Sequence, residues 1–304
     1  MLKNQLKRTY KYTVFRLNII SEIPIICFEE NIFFSEADIL IKIDKVPTNI
    51  NNIKQKGSFY QASENEFLLK IPNNANYYIC NGDTVIIEPF ENIKIEDLSA
   101  FLSGRILGII LHQRKLNPFH GGAIKYKDKV IAFLGNSGSG KSTIIAAFEK
   151  KGGEIISDDI LLFQFNNIIQ SVPSYPCIKL WQDSINNLKI SPNKLTKIRS
   201  EMGKFYYKSE HFANSPLKVD FIIYLTFHNK ELFDIAELHG KEKFTILKEM
   251  TYIFYNIKNT GILTKNFEIC TKIAKHIPVY KLIRPSEIFD INKIIQLIEK
   301  TLNL

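Results

Sequence analysis

Residues Gly135, Asn136, Ser137, Gly138, Ser139, Gly140, Lys141, Ser142 and Thr143 form a complete G-x-x-x-x-G-K-S/T run. An apolar stretch, Val130 to Leu134, precedes it, and a helix-compatible stretch, Ile144 to Lys150, follows. Strand, loop and helix in that order are the setting in which such a run wraps a polyphosphate. Glycines let the backbone turn its N–H groups inward, and the helix adds the positive end of its dipole. A lysine at 141 reaches the β- and γ-phosphate oxygens while a hydroxyl at 142 ligates Mg²⁺. The nine residues therefore predict a nucleoside triphosphate cradle, with ATP and Mg²⁺ as the cofactors.

Two further groups bear on what happens to the triphosphate. After Gly152-Gly153, a short apolar strand (Ile155, Ile156) delivers Ser157, Asp158 and Asp159. Successive side chains of an extended chain point to opposite sides, so one carboxylate faces a metal and the other an incoming nucleophile. Upstream, His120 opens a His-Gly-Gly-Ala-Ile segment. A strand pair joined by the Lys127-Asp128 turn folds it back beside the loop. Alone, an Asp pair is commonly a turn or a helix cap, and a single His is commonly structural. Their joint spacing favours a reactive site.

At His120, at the loop carrying Lys141 and Ser142, and at the Ser157-Asp158-Asp159 strand end, the chain resembles the HPr kinase/phosphorylase family and its relatives with an ATP-dependent PEP carboxykinase type of core. That likeness covers about residues 105–165. Over nearly the whole chain it is similar to HPr-kinase-related proteins encoded in bacterial peptide natural-product clusters, lasso-peptide clusters among them. The marks are Tyr12-Thr13-Val14-Phe15-Arg16-Leu17, Ser21-Glu22-Ile23-Pro24, Leu111-His112-Gln113-Arg114, Lys179-Leu180-Trp181 and Pro278 to Pro285. The resemblance implies an α/β P-loop core, a mixed sheet with flanking helices, preceded by a β-rich domain. It also implies a kinase acting on the C-terminal Ser of a lasso precursor peptide. The family's later glycine-rich signature with its metal-binding Glu, and its downstream catalytic Arg, are not recognisable after Asp159.

Composition is that of an ordinary globular enzyme: 304 residues, 45% hydrophobic and 23% charged, enough for two domains. The four cysteines (Cys27, Cys80, Cys177, Cys270) lack metal or disulfide spacing, which fits a reducing cytoplasm. No apolar run reaches the length that spans a bilayer, and Met1-Leu2-Lys3-Asn4-Gln5 lacks the apolar core of a signal peptide. A net charge of +9 invites a nucleic-acid reading, but the lysines are spread evenly and no basic arm forms. The expected partners are a triphosphate and a peptide or small protein, without nucleic acid or membrane; a homo-oligomer stays open.

The elements that must position these groups fall into two parts. Residues 1–94 predict a β-rich accessory or substrate-recognition domain. Alternation runs over Ile39, Ile41 and Ile43, another apolar run covers Phe67 to Ile71, and Asn81-Gly82-Asp83 signals a hairpin. Residues 95–304 predict the kinase domain, opening with apolar positions at helical spacing from Ile95 to Gln113. Strands are expected near 122–134, 154–157, 160–165, 219–226 and 278–283, and helices near 141–151, 179–188, 241–256, 265–275 and 286–302. In the last helix, Ile288, Ile291, Ile294, Ile295 and Ile298 share a core-facing side.

The segment Ser191 to His211 reads either as a mobile basic loop closing over phosphates or as a solvated surface loop. Lys204, before Phe205 and Tyr206, is its preferred catalytic cation. The expected reaction is transfer of the ATP γ-phosphoryl group to a peptide hydroxyl. Lys141 grips phosphate, Ser142 and Asp158 hold Mg²⁺, Asp159 accepts the hydroxyl proton, and His120 orients that carboxylate or the γ-phosphate. The two aspartates could exchange roles. The alternatives are a kinase for an HPr-type protein or a small hydroxyl compound, and a regulatory module that binds nucleotide without turning it over.

Overall fold

The computed structural model describes residues 8–199 and 202–304. Met1 to Gln5, and Ser200 and Glu201 of the basic segment, lie outside the described residues. The chain divides into two compact units. One holds the chain up to Asn117 together with Lys197–Met202 and Ile253–Lys265, so the segment 95–113 falls there. The other holds Pro118–Thr196, Gly203–Tyr252 and Asn266–Leu304.

In the first unit the strands are β1 (Tyr10–Val14), β2 (Leu17–Ser21), β3 (Ile39–Ile43), β4 (Gln55–Gly57), β5 (Tyr60–Ala62), β6 (Glu66–Ile71), β7 (Ala75–Cys80) and β8 (Thr84–Pro89). Among the described residues they form one sheet in the order β1-β2-β3-β8-β7-β6-β5-β4, with parallel pairing only where β3 meets β2 and β8. Between β7 and β8, Asn81 and Gly82 take φ of 55° and 69°, the left-handed values those residue types tolerate. The helical stretch resolves into α1 (Ile95–Phe101), a π-helical turn (Leu102–Ile106) and α2 (Leu107–Gln113). Leu98, Leu102, Ile106, Ile109 and Ile110 are all buried along it, as their spacing demands.

The second unit opens with the hairpin β9 (Phe119–Tyr126) and β10 (Lys129–Gly135). Lys127 and Asp128 turn it with φ of 47° and 60°, a two-residue connection whose twist suits antiparallel strands. Helix α3 (Lys141–Lys150) follows, then β11 (Glu154–Ser157), β12 (Ile160–Phe165), β13 (Ile169–Val172), β14 (Cys177–Trp181) and α4 (Gln182–Asn187). Beyond lie β15 (Leu195–Lys197), β16 (Lys204–Lys208), β17 (Leu217–Lys218), β18 (Phe221–His228), β19 (Asp234–Glu237) and α5 (Gly240–Glu249). After α6 (Phe254–Ile257), which belongs to the first unit, α7 (Leu263–His276), β20 (Val279–Pro285) and α8 (Ile291–Leu302) complete the chain.

The main sheet runs β17-β13-β12-β9-β10-β18-β20-β19, with β11 also on β9. It is mixed: β10, β18 and β20 are parallel neighbours, while β9 is antiparallel to β10, β11 and β12. Ile131, Phe133, Ile223 and Leu282 bury one face against Ile144, Ile145 and Phe148 of α3 and Ile294, Ile295 and Ile298 of α8. Ala132, Leu134 and Ile222 bury the other face with Ile246, Leu247, Ile269 and Ile273. The fold class is thus α/β with mixed sheets. Strands buried on both faces read as near-continuous apolar runs, which is what Val130 to Leu134 shows.

Four expectations change. The helix expected over 179–188 starts only at Gln182, because Lys179, Leu180 and Trp181 continue β14 and pair with Tyr206, Phe205 and Lys204 of β16. The helix expected over 241–256 ends at Glu249, and α6 is separate. The last helix begins at Ile291, where the Asp290 side chain caps it by accepting from the Lys293 N–H at 3.0 Å. Ile288 therefore lies before the helix and is 43% exposed instead of sharing its core face. The basic segment is not one loop: it holds a 3₁₀ turn (Pro192–Lys194), β15 and β16, and Tyr206 and Tyr207 are buried.

Gly122 shows how tightly the hairpin meets the carboxylate strand. A Cβ there would stand 2.5 Å from the Ser157 carbonyl oxygen, 2.6 Å from Cδ1 of Ile145 and 3.1 Å from Cα of Asp158. Gly122→Ala should therefore destabilise the fold by about 1–3 kcal/mol, the usual penalty of overpacking, as read from the denaturant midpoint at constant slope.

Candidate active site

Several elements of the second unit converge on one cleft. The β9–β10 hairpin brings His120 beside the end of β10, so that its Nε2 lies 3.3 Å from Lys141 Nζ. The loop between β10 and α3 supplies Ser137, Gly138, Gly140, Lys141, Ser142 and Thr143 to the cleft lining. Asp159, between β11 and β12, and Lys179 and Trp181 of β14 form a second wall, with Lys204 on β16. Asp183, Ser184 and Asn187 of α4 and Arg284, Ser286 and Phe289 complete it around a cavity of 280 Å³.

The loop holds the geometry its sequence requires. Gly138 and Gly140 take φ of 83° and 107°, positions that penalise any residue with a Cβ. Gly140 is the N-cap of α3 and no side chain caps that end. The first turn of a helix has N–H groups without an intrahelical acceptor, so this end offers donors and positive potential to an anion. Lys141 Nζ donates to the carbonyls of Gly135 (2.7 Å) and Asn136 (3.0 Å), and no carboxylate is among these partners. Burial, and then the neighbouring Lys204, push its pKa down against the pull of Asp158 and Asp159, to about 8. Thr143 Oγ1 meets Ser184 Oγ at 2.8 Å, tying α3 to α4.

The two aspartates diverge, though not by the simple alternation of an extended chain. Asp159 takes φ of 68°, a left-handed turn between strands, and this separates the carboxylates. Asp158 is buried, and both its oxygens are engaged. Oδ1 accepts from Ser142 Oγ (2.8 Å) and Oδ2 from the backbone N–H of Lys179 (2.8 Å). Burial pushes its pKa up. It does not line the cleft, whereas Ser142 does. Asp159 faces the cleft, with Oδ2 2.7 Å from Lys179 Nζ and Oδ1 3.7 Å from His120 Nδ1. Burial by itself would raise its pKa, but Lys179, His120 and Lys204 together hold it well below the usual carboxylate range.

Lys179 and Arg284 carry no role in the sequence reading. Both sit within apolar strands, where a lone cation reads as a solvent-facing residue; only pairing β14 against the aspartates, and β20 against the loop, makes them part of a cleft. Asp159 in turn raises the Lys179 pKa well above normal despite burial. Lys204 is on a strand instead of a mobile loop, with its ammonium 5.3 Å from the centre of the Trp181 ring. Other cations of the basic segment lie elsewhere: Lys194 pairs with Glu210 at 3.1 Å, and Arg199 stacks on Phe101. Among the described residues no group of three or more His, Cys, Asp or Glu side chains is placed to hold a metal ion. Ser142 lines the cleft and would offer Mg²⁺ one oxygen, with phosphate and water completing the octahedron; Asp158 stands behind it with both oxygens engaged and holds that hydroxyl in place.

No family model matches the chain, and no curated protein matches it. Among solved structures, the Hpr(Ser) kinase/phosphatase from Coxiella burnetii is similar over 60% of this chain and 95% of its own, with 13% identity and a TM-score of 0.32. At that level the neighbour says nothing about the chemistry of this cleft. Among the described residues no helix is long and apolar enough to cross a membrane.

Burial, and then Lys141, hold the His120 pKa down to about 4. At neutral pH the ring is uncharged; Nε2 is within hydrogen-bond reach of Lys141 Nζ, while Nδ1 stands 3.7 Å from Asp159 Oδ1 without bonding it. Below the unfolded pKa of about 6.5 the unfolded chain binds a proton that the folded chain refuses, so stability falls as pH drops from there toward 4. Relative to His120→Gln, the wild type should lose up to about 3 kcal/mol across that window in denaturant titrations. Equal slopes for the two proteins would contradict a neutral, buried imidazole.

Proposed function

We propose that the cleft binds Mg·ATP and transfers its γ-phosphoryl group to a hydroxyl of a peptide or small protein, with the C-terminal Ser of a lasso precursor peptide as the favoured acceptor. One observation carries the reading. The open N-terminus of α3, Lys141, neutral His120 and the Lys179-paired Asp159 form a continuous line, grading from anion-binding groups to a single hydroxyl-directing carboxylate. A site built only to bind nucleotide has no use for that last group.

In this reading the loop amides and Lys141 hold the β- and γ-phosphates. Mg²⁺, when bound, neutralises charge on those oxygens. Ser142 is kept in place for it by Asp158, whose second oxygen is anchored to the Lys179 backbone. The acceptor oxygen forms a bond to the γ-phosphorus as the bond from that phosphorus to the β-bridging oxygen breaks. Its proton leaves toward Asp159.

A carboxylate held this low by Lys179 is a weak base, so Asp159 acts chiefly by accepting the hydroxyl's hydrogen bond and aiming its lone pair. A loose transition state asks for little more, because the hydroxyl stays nearly neutral until late. His120 stands between Lys141 and Asp159 and would keep phosphate and acceptor ends in register. Lys204 is the cation free to approach the transferring group. The β-rich residues 1–94 would recognise the substrate, and residues 95–304 would form the kinase domain. The reaction is placed in the cytoplasm.

Lys141→Ala should lower phosphoryl transfer at least a hundredfold, about 3 kcal/mol, without unfolding the protein, since the charge-assisted contact is strongest in the transition state. Asp159→Asn should keep Mg·ATP affinity within a few fold and lose turnover, whereas Asp158→Asn should also weaken the Mg²⁺ dependence. The acceptor is read by mass spectrometry of a Ser-ended precursor peptide incubated with ATP and Mg²⁺. One phosphate should be gained at the terminal Ser, and none after Ser→Ala there. Transfer to HPr but to no such peptide would replace this acceptor.

A further inference from the structure

Arg284 stands against the glycine loop and lines the same cleft. It stands near the end of β20, 7% exposed, and donates only to carbonyls. Nε reaches the Ser139 oxygen at 3.2 Å and Nη2 the Gly138 oxygen at 3.4 Å, while Nη1 donates to Pro285 (2.7 Å) and Ser286 (3.3 Å). The guanidinium lies over the rings of Phe289 and Phe227, 4.9 and 5.5 Å from their centres. Among the described residues no carboxylate pairs with it.

A buried cation without an anion is costly, and a fold that keeps one has left its charge for something else to complete. The cleft shows where that something lies, because Arg284 is one of its lining residues. In a trans peptide the carbonyl and the following N–H point in opposite directions. Holding the Ser139 carbonyl toward Arg284 therefore fixes the Gly140 N–H in the opposite direction. The Phe289 ring reinforces this, since a Cβ on Gly140 would fall 2.3 Å from it and only glycine admits the contact.

We infer that Arg284 is the positioning residue of the phosphate site: it holds two loop carbonyls at the cleft wall, and its unpaired charge is completed by a polyphosphate chain lying in that cleft. This rests on the cleft being a triphosphate site. It adds that affinity resides largely in the phosphate chain, so inorganic tripolyphosphate should bind without any nucleoside.

The test is calorimetric binding of inorganic tripolyphosphate and of ATP to the wild type, Arg284→Gln and Arg284→Lys, with the unliganded thermal midpoint of each. Glutamine keeps N–H donors for the carbonyls and removes the charge; lysine keeps the charge. Arg284→Gln should weaken both ligands by about tenfold or more while its unliganded midpoint stays or rises, because an uncompensated charge is gone. Arg284→Lys should retain affinity within about threefold of wild type.

Wild-type affinity in Arg284→Gln overturns the inference. So does a lowered midpoint with equal affinity losses in both variants, which is the mark of a merely structural arginine. Should Arg284→Gln not fold, Arg284→Lys decides: retained affinity supports the charge, and a loss of about tenfold in a folded protein removes it. A wild type that binds neither tripolyphosphate nor ATP refutes the triphosphate reading itself, a result distinct from either of these.

Discussion

Lys179 holds both aspartates at once. Its backbone N–H bonds one oxygen of Asp158 and its ammonium bonds one oxygen of Asp159, so a single residue of β14 sets the spacing between the carboxylate that anchors Ser142 and the one that faces the cleft. The pairing of β14 with β16, Trp181 opposite Lys204, keeps that residue in place. Buried like charges repel, and without the ammonium two adjacent carboxylates would not both stay ionised. Ser142 takes its position from Asp158, and His120 stands between Lys141 and Asp159. The rest of the cleft is arranged around that constraint.

The opposed shifts of these groups follow from the same arrangement. Lys141 and His120 are pushed toward neutrality by burial, while Asp159 is held as an anion by Lys179. The cleft thus keeps one firm negative charge at its acceptor end and, at the loop end, an ammonium and open helix donors that a phosphate would charge and satisfy. Binding of an anion there would raise the Lys141 pKa, coupling protonation to occupancy.

Strain and close approach are concentrated where the site needs them. Asp159 is a non-glycine residue in the left-handed region, and Gly122 and Gly140 stand where no Cβ fits without displacing backbone or a packed ring. Such positions persist only when surrounding structure over-determines them. Here the two-sided core of the β10 sheet supplies that rigidity.

Much of this was legible in the residues themselves. The glycine run with Lys141 and Ser142 announces its strand, loop and helix because glycine tolerates the required φ and because a continuous apolar run leads into it. Asn81-Gly82 and the alternation of Ile39, Ile41 and Ile43 mark their hairpin and strand for the same local reasons. What the tertiary structure decided is non-local. Lys179 is one cation in an apolar strand until β14 is laid against Asp158 and Asp159. Arg284 is an arginine near a proline until β20 brings it against Gly138 and Ser139. Lys204 belongs to a polar stretch until pairing with Trp181 makes it a strand. Long-range strand pairing leaves no period in the chain, since its energy comes from partners more than twenty residues away, and so the cations that complete this cleft could be found only in three dimensions.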